Sequence, residues 1–471
     1  MGPLARAVLR GESLESAPRL RQPIATGEVD FRRKVCYGLY VKEKTPAVSV
    51  FTPSHQPRYL DECWASLRGQ TFQDFEWIVV LNGGARWYSA PDDPRVIIDE
   101  ADEIRGVGAA KHHACALALG DILVEVDHDD LLTTNALEEI VRAFDANPDI
   151  GVVYSDGAQI LEDGSKDPSR WDAANGWVYR DDVVEVAGID GEVRKREVLA
   201  VQALEPSPAN LSYVWWACNH VRAFRRSVYE QVGGYDWTMD VLDDQDLMCR
   251  LYQATDFHHI HECLYLQRTH DGMTQKHSET NALIQTRTVE LHDKYIEPMA
   301  LAWAKRNGLL ALDLGGAHSS PAGYLSVDTE PGVDLCGDVF DVLGGMADSS
   351  VGVVRAVDLL EHISDKVAVA NLIHRVLAPD GMLLSCTPSA LGQGGAMDPT
   401  HCANYVEASF WYLCDRNYQK YVPALTARFQ QSRLVTYAPT PWHAENQILY
   451  IQFNGICIKP GGVRNGGYLR W

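Results

Sequence analysis

The stretch Gly120–Leu132, GDILVEVDHDDLL, constrains this chain more than any other. Ile122, Leu123, Val124 and Val126 form a short apolar run rich in β-branched residues, which predicts a buried strand. The run breaks into Asp127-His128-Asp129-Asp130. Carboxylates this close repel one another unless a cation sits among them, and magnesium or manganese favours oxygen ligands of this kind. An Asp-x-Asp at a strand end can therefore clamp a metal that in turn holds a diphosphate. The competing reading is an N-cap, with Asp129 or Asp130 opening a helix near Thr133-Thr134 that runs through ALEEIVRAF.

The flanks extend the pattern. Ala47–Thr52 (AVSVFT) predicts a buried strand ending in Pro53-Ser54-His55, and Leu60–Gln70 an amphipathic helix with Leu60, Cys63, Trp64 and Leu67 on one face. Phe75–Leu81 (FEWIVVL) is a second strand that stops at the turn Asn82-Gly83-Gly84. A short strand at Val96–Asp99 and a helix over Gly108–Leu119 precede the acidic strand end. Strands alternating with helices, with ligand-type residues at strand C-termini, predict an α/β doubly wound sheet that binds its ligand at that edge.

VSVFTPSHQPRYLDECWASLRGQTFQDFEWIVVLNGG followed by GAAKHHACALALGDILVEVDHDD resembles an inverting family 2 glycosyltransferase of the GT-A fold. Val232-Gly233-Gly234-Tyr235-Asp236, then Leu242-Asp243-Asp244-Gln245-Asp246-Leu247, resemble that family's GG(F/Y)D and ED-x-DL segments, and Arg268-Thr269-His270 its late R-x-H strand. The resemblance implies that Thr52 and Pro53 border the nucleoside and that Lys111 lies near the diphosphate. Asn82 stands where the family usually has Asp, so the base is left open. Asp127 and Asp129 become the metal pair, His270 a third ligand, and Asp244 the general base. Trp215 and Trp216 fall in the stretch that lines the acceptor site. Each has a structural alternative: Asp243, Asp244 and Asp246 could simply open a helix, and Lys111 could be a solvated helix lysine. Asp156–Gln202 is highly charged and reads as an inserted hairpin or flap.

Past a helical connector, Asn281–Asn307, interrupted near Pro298, the pattern restarts. Leu309–Leu314 (LLALDL) is a strand ending in Gly315-Gly316-Ala317, and Tyr324–Asp328 (YLSVD) a second strand with a terminal acid. With Glu361-His362 and RVLAPDG, Leu309–Pro388 resembles a class I S-adenosylmethionine-dependent methyltransferase. A glycine-rich turn lets backbone approach a cofactor, and an acid ending the second strand can accept ribose hydroxyls. By resemblance Asp313, Gly315 and Gly316 border the methionine part, Asp328 the ribose and Asp338 the adenine. Glu361 and His362 read as a helix start with no catalytic role. Pro441–Lys459 reads as the last two strands.

The expected map is a leader over 1–45, a GT-A domain over 46–280 with an insertion at 156–205, the connector over 281–307, and a Rossmann-like methyltransferase fold over 308–471. The expected activity is metal-dependent transfer of a sugar from a nucleotide-diphospho-sugar to an acceptor hydroxyl, with manganese or magnesium as cofactor. The second domain either uses S-adenosylmethionine to methylate the product or serves as an inactive binding platform; a non-catalytic sugar-binding scaffold is the remaining alternative. Glycan, lipid-linked and protein acceptors stay open, as does a homo-oligomer. A net charge of −22 argues against nucleic acid as partner. No apolar run approaches the roughly 20 residues of a transmembrane span. Eleven scattered cysteines without a CxxC pair fit reduced thiols in a cytoplasmic protein.

Overall fold

The computed structural model describes residues 45–170, 177–208, 210, 218–271 and 278–462. The expected leader lies outside them apart from Thr45. Both sheets belong to one compact unit that begins at Pro46.

The first sheet is built from β1 (Val48–Ser54), β2 (Phe75–Leu81), β3 (Val96–Glu100), β4 (Ile122–Glu125), β5 (Leu131–Leu132), β6 (Ile150–Leu161), β7 (Tyr179–Ala187), β8 (Val193–Val201), β9 (Arg222–Arg225) and β10 (Asp256–Thr269). Its order is β3-β2-β1-β4-β9-β6-β10-β5, with the β7–β8 hairpin attached through β8 to β6. The four leading strands are parallel, and β9 runs antiparallel between β4 and β6. Every residue of β1 and β2 is buried, as a parallel strand covered on both faces requires. Leu60, Cys63, Trp64 and Leu67 of helix Leu60–Arg68 pack on one face with Leu137, Ile140 and Phe144 of helix Ala136–Ala146. Helices Val107–Leu117 and Asp243–Ala254 cover the other.

The acidic cluster does not cap a helix. After Asp130 the chain first pairs Leu131–Leu132 with β10, and Asn135 holds the N-cap position of helix Ala136–Ala146. The carboxylates are thus left at the strand end.

The expected break near Pro298 does not occur: one helix runs over Ser278–Arg306 with Pro298 inside it. Proline removes one helical hydrogen bond, but tertiary packing on both sides of the site holds this helix together. Ile296, Ala300 and Ala304 pack against Ala311, Val353 and Met382 of the second sheet, while Tyr295 and Met299 pack in the core of the first. Gly352 lets the helix and the second sheet approach closely, since a Cβ there would lie 2.5 Å from Ala304 Cβ. Asp293 adds a bidentate pair with Arg433, both contacts at 3.0 Å.

The second sheet comprises β11 (Leu310–Leu314), β12 (Leu325–Asp328), β13 (Leu335–Cys336), β14 (Val351–Val357), β15 (Leu377–Pro388), β16 (Phe429–Tyr437) and β17 (Tyr450–Cys457). Their order is β13-β12-β11-β14-β15-β17-β16, with β17 antiparallel to both neighbours. The doubly wound pattern is incomplete: β11 reaches β12 through a short 3₁₀ turn at Ala317–Ser319 instead of a helix. Helix Ser278–Arg306 covers that face instead. Pro441–Lys459 supplies one strand, β17, preceded by the short helix Pro441–Glu445; the other edge strand, β16, lies earlier.

Candidate functional site

The C-terminal ends of β1, β2 and β4 open on a cleft of about 470 Å³, lined by Pro53, Asn82, Lys111, Asp127, Asp129, His220, Arg222, Asp243, Asp244 and His270 among others. Glu125 is the last residue of β4 and Asp127 lies two residues beyond it; both approach the same His220 imidazole. Glu125 is fully buried, a carboxylate amid apolar neighbours.

It survives there because two cations and an imidazole surround it. Lys111 Nζ lies 2.7 Å from Glu125 Oε1, Arg222 Nε 3.1 Å from Oε2, and His220 Nε2 3.7 Å from Oε1. Burial disfavours the charge on Glu125, yet Arg222 and Lys111 outweigh it and hold the carboxyl well below the usual range. The two cations reach outward to a second acidic pair: Lys111 Nζ is 3.0 Å from Asp243 Oδ2, and Arg222 Nη1 donates to Asp244 Oδ2 at 2.8 Å.

These neighbours differ in state. Burial pushes Asp243 up to about 6, with Lys111 offsetting only part of it and Asp244 adding repulsion. Burial also opposes ionisation of Asp244, but Arg222 and Lys111 prevail and keep it below the ordinary carboxylate value. Asp243 is enclosed, whereas about a third of the Asp244 side chain is exposed. Asp244 is thus an ionised carboxylate reachable from the cleft.

The acidic loop is held by β10. Tyr265 Oη accepts from the Asp127 N–H at 3.1 Å and donates to Asp130 Oδ2 at 2.7 Å. Arg268, almost fully buried, donates to the Asp129 carbonyl at 2.9 Å, the Glu162 carbonyl at 2.7 Å and Glu62 Oε2 at 2.7 Å. His270 Nε2 lies 2.8 Å from Asp129 Oδ2, and His220 Nε2 3.9 Å from Asp127 Oδ2. The donor set around Asp127 and Asp129 is thus carboxylate oxygen plus imidazole nitrogen, which fits a divalent first-row ion.

Several expected residues meet here: Pro53, Asn82, Asp127, Asp129, Asp244 and His270 all line the cleft. Thr52 is not among the residues that line the cleft. It is fully buried, its hydroxyl donating to the Val126 carbonyl at 2.7 Å and accepting from Trp77 Nε1 at 2.8 Å, so it ties β1 to the strand end that carries Asp127. Lys111 also lines the cleft, and the solvated alternative fails: it is buried and engaged by Glu125 and Asp243. Trp215 and Trp216 lie outside the described residues. Glu125, His220 and Arg222 went unnoticed in the sequence, although Glu125 stands only two residues before Asp127.

At the second sheet, Gly315 follows β11 with φ of +77°, a left-handed conformation that favours glycine, and its N–H donates to the Val327 carbonyl at 2.8 Å. A Cβ on Gly316 would lie 2.1 Å from Asp313 Oδ2. Asp313 itself is buried and pairs with Arg355 opposite it on β14 at 2.8 Å. Asp328 ends β12, its Oδ1 accepting from the Glu330 N–H at 3.1 Å. Asp338 caps helix Val339–Gly345 by accepting from the Phe340 N–H at 2.8 Å.

Residues 49–187 match the model of Glycosyl transferase family 2, so this part of the chain carries a family 2 glycosyltransferase domain. It is 26% identical over 236 residues to the O-antigen biosynthesis protein RfbC of Myxococcus xanthus, covering 48% of this chain and 16% of that protein. It is 22% identical over 241 residues to the hyaluronan synthase of Pasteurella multocida, covering 49% of this chain and 21% of that one. The chain therefore spans about a fifth of the length of these curated relatives. Among solved structures, S. aureus TarS 1–349 in complex with UDP-GlcNAc aligns at 15% identity and a TM-score of 0.36, over 55% of this chain and 71% of that one. The family match ends at residue 187, before the second sheet begins.

Proposed function

We propose that the chain transfers a sugar from a nucleotide-diphospho-sugar to an acceptor hydroxyl with inversion at the anomeric carbon. The observation that carries this reading is that one cleft holds the Asp127–Asp129 pair and the ionised, part-exposed Asp244. Pro53 and Asn82 would border the nucleoside at the ends of β1 and β2. Asp127, Asp129 and His270 would hold a divalent ion, with the imidazole favouring manganese over magnesium. Bound there, the ion would neutralise the diphosphate leaving group. Asp244 would take the proton from the acceptor hydroxyl as it attacks, with Arg222 fixing its orientation. A single displacement inverts configuration and needs no covalent nucleophile. The names of the curated relatives, an O-antigen biosynthesis protein and a hyaluronan synthase, favour a glycan acceptor. The test is nucleotide release from UDP-, GDP- and dTDP-sugars with manganese, with magnesium and with chelator. Metal-dependent release of one nucleotide, lost in Asp129→Ala, supports the reading. Donor binding that is indifferent to metal and to Asp129→Ala overturns it in favour of a sugar-binding scaffold.

For the second sheet, the parallel order β13-β12-β11-β14-β15 and the glycine turn after β11 support a cofactor-binding domain of the methyltransferase type. Calorimetry with S-adenosylmethionine tests it. Saturable binding weakened by Asp328→Ala supports it, and absence of heat at millimolar ligand favours the inactive platform.

A further inference from the structure

A second group of metal-ligand side chains stands at the edge of the other sheet. Glu361 follows β14 in a 3₁₀ turn, Leu360–His362, and is almost fully buried. Its Oε2 accepts from the Thr387 hydroxyl at 2.8 Å, while Oε1, equally shielded from solvent, has no hydrogen-bond partner. An unpartnered carboxylate oxygen in a buried position is costly. Facing it is His401, with Nε2 at 4.0 Å from Oε1, too far for a hydrogen bond but suited to a shared third atom. One ligand-capable atom from each of Glu361, His362 and His401 lies within 4.8 Å of the others.

The surroundings set both imidazoles in the form that ligates. His401 Nδ1 is 3.3 Å from the Gly395 carbonyl, which can only accept, so in the neutral ring Nδ1 carries the proton and Nε2 the lone pair. The Thr400 hydroxyl donates its single proton to Asp398 Oδ1 at 2.6 Å, so its oxygen accepts from His362 Nδ1–H at 3.1 Å. That again leaves Nε2 bare. A histidine whose outer ring nitrogen donates to a carbonyl or hydroxyl while the other nitrogen is unprotonated is the arrangement found at metal sites. The backbone fixes the loop as well, because the N–H groups of Cys402 and Ala403 both donate to the Glu361 carbonyl at 2.9 Å.

We infer that Glu361, His362 and His401 form a binding site for a divalent first-row transition ion of the manganese, iron, cobalt or zinc class. Two imidazoles and one carboxylate favour these ions over magnesium or calcium, and three protein ligands leave coordination positions open to a substrate oxygen or water. The site stands at the same sheet edge as the Gly315 turn, since Leu359 would be 3.0 Å from a Cβ on Gly315. It shares no residue with the first cleft and does not depend on the glycosyltransferase reading.

The full chain carrying Asp127→Asn and Asp129→Asn, which disables the first cleft, is stripped with chelator and titrated with cobalt(II). Calorimetry gives the stoichiometry and visible absorption reports imidazole ligation. One equivalent is expected, weakened at least tenfold by His401→Gln and by His362→Gln. His362 is exposed, so its substitution leaves the fold intact and decides the matter should His401→Gln misfold. No bound cobalt, or binding unchanged in His362→Gln, overturns the assignment.

Discussion

Glu125 and Arg222 face each other across the antiparallel pair β4–β9, with Arg222 Nε 3.1 Å from Glu125 Oε2 and both side chains almost completely buried. The same guanidinium holds Asp244 at 2.8 Å. The proposed base is therefore tied to a strand pair in the sheet as well as to the helix that carries it, where its Oδ1 accepts from the Gln245 N–H at 2.8 Å. Glu125 neutralises what would otherwise be two buried cations, Lys111 and Arg222, at the floor of the cleft.

Removing that central charge should be expensive. Glu125→Gln is expected to cost about 3–5 kcal/mol, because it leaves Lys111 and Arg222 short of a counter-ion in a dry site. Urea unfolding measures this directly, and a loss under about 1 kcal/mol would show that solvent reaches the network.

Asp244 and Asp243 should separate kinetically. Asp244→Asn is expected to lower kcat by about 10²–10⁴-fold with donor affinity retained, whereas Asp243→Asn, enclosed against Lys111, should act mainly on stability. Steady-state kinetics alongside donor binding would settle it. Activity that survives Asp244→Asn but not Asp243→Asn would transfer the base to Asp243.

The raised Asp243 carries a pH signature. Its carboxyl sits at about 6 in the folded chain against 3.8 for the free group, so the folded state binds this proton more tightly. The stability it contributes is present in full below the unfolded value and is lost as pH rises through about 6. Unfolding free energy of the native chain should therefore fall across that window relative to Asp243→Asn, by on the order of 3 kcal/mol. Parallel slopes for the two proteins in urea titrations between about pH 4 and pH 7 would refute the shift.

Thr52→Val keeps the shape but removes a hydroxyl that joins Val126 and Trp77. Stability should drop by roughly 1–3 kcal/mol, the cost of leaving buried partners unmatched, with KM for the donor unchanged. A raised KM without loss of stability would place Thr52 at the nucleoside site.

Much of the first sheet was legible because its strands are apolar runs bounded by turns, and its acidic strand end is a local pattern. Asp127, Asp129 and His270 could be nominated as candidate ligands from motif order alone. Glu125 could not be assigned a role from sequence, since whether a carboxylate in a strand is buried and paired depends on Arg222, which is distant in the chain and reaches it only through strand pairing. The role of the Thr52 hydroxyl was hidden for the same reason: its position beside Pro53 is local, but its direction is fixed by Trp77 and Val126. The Pro298 break was misjudged because proline's local penalty was weighed without the packing of Ile296, Ala300 and Ala304 on the second sheet.

What the sequence determined by itself is the set of strands, the strand-end carboxylates and the glycine turn at Gly315, all encoded in short-range periodicity and turn chemistry. Tertiary structure decided which carboxylates are ionised, which histidine nitrogens carry a lone pair, and that helix Ser278–Arg306 covers the face left bare between β11 and β12. Those properties follow from burial and from partners far apart in the chain. Neither burial nor distant pairing is a property of a residue's neighbours in sequence.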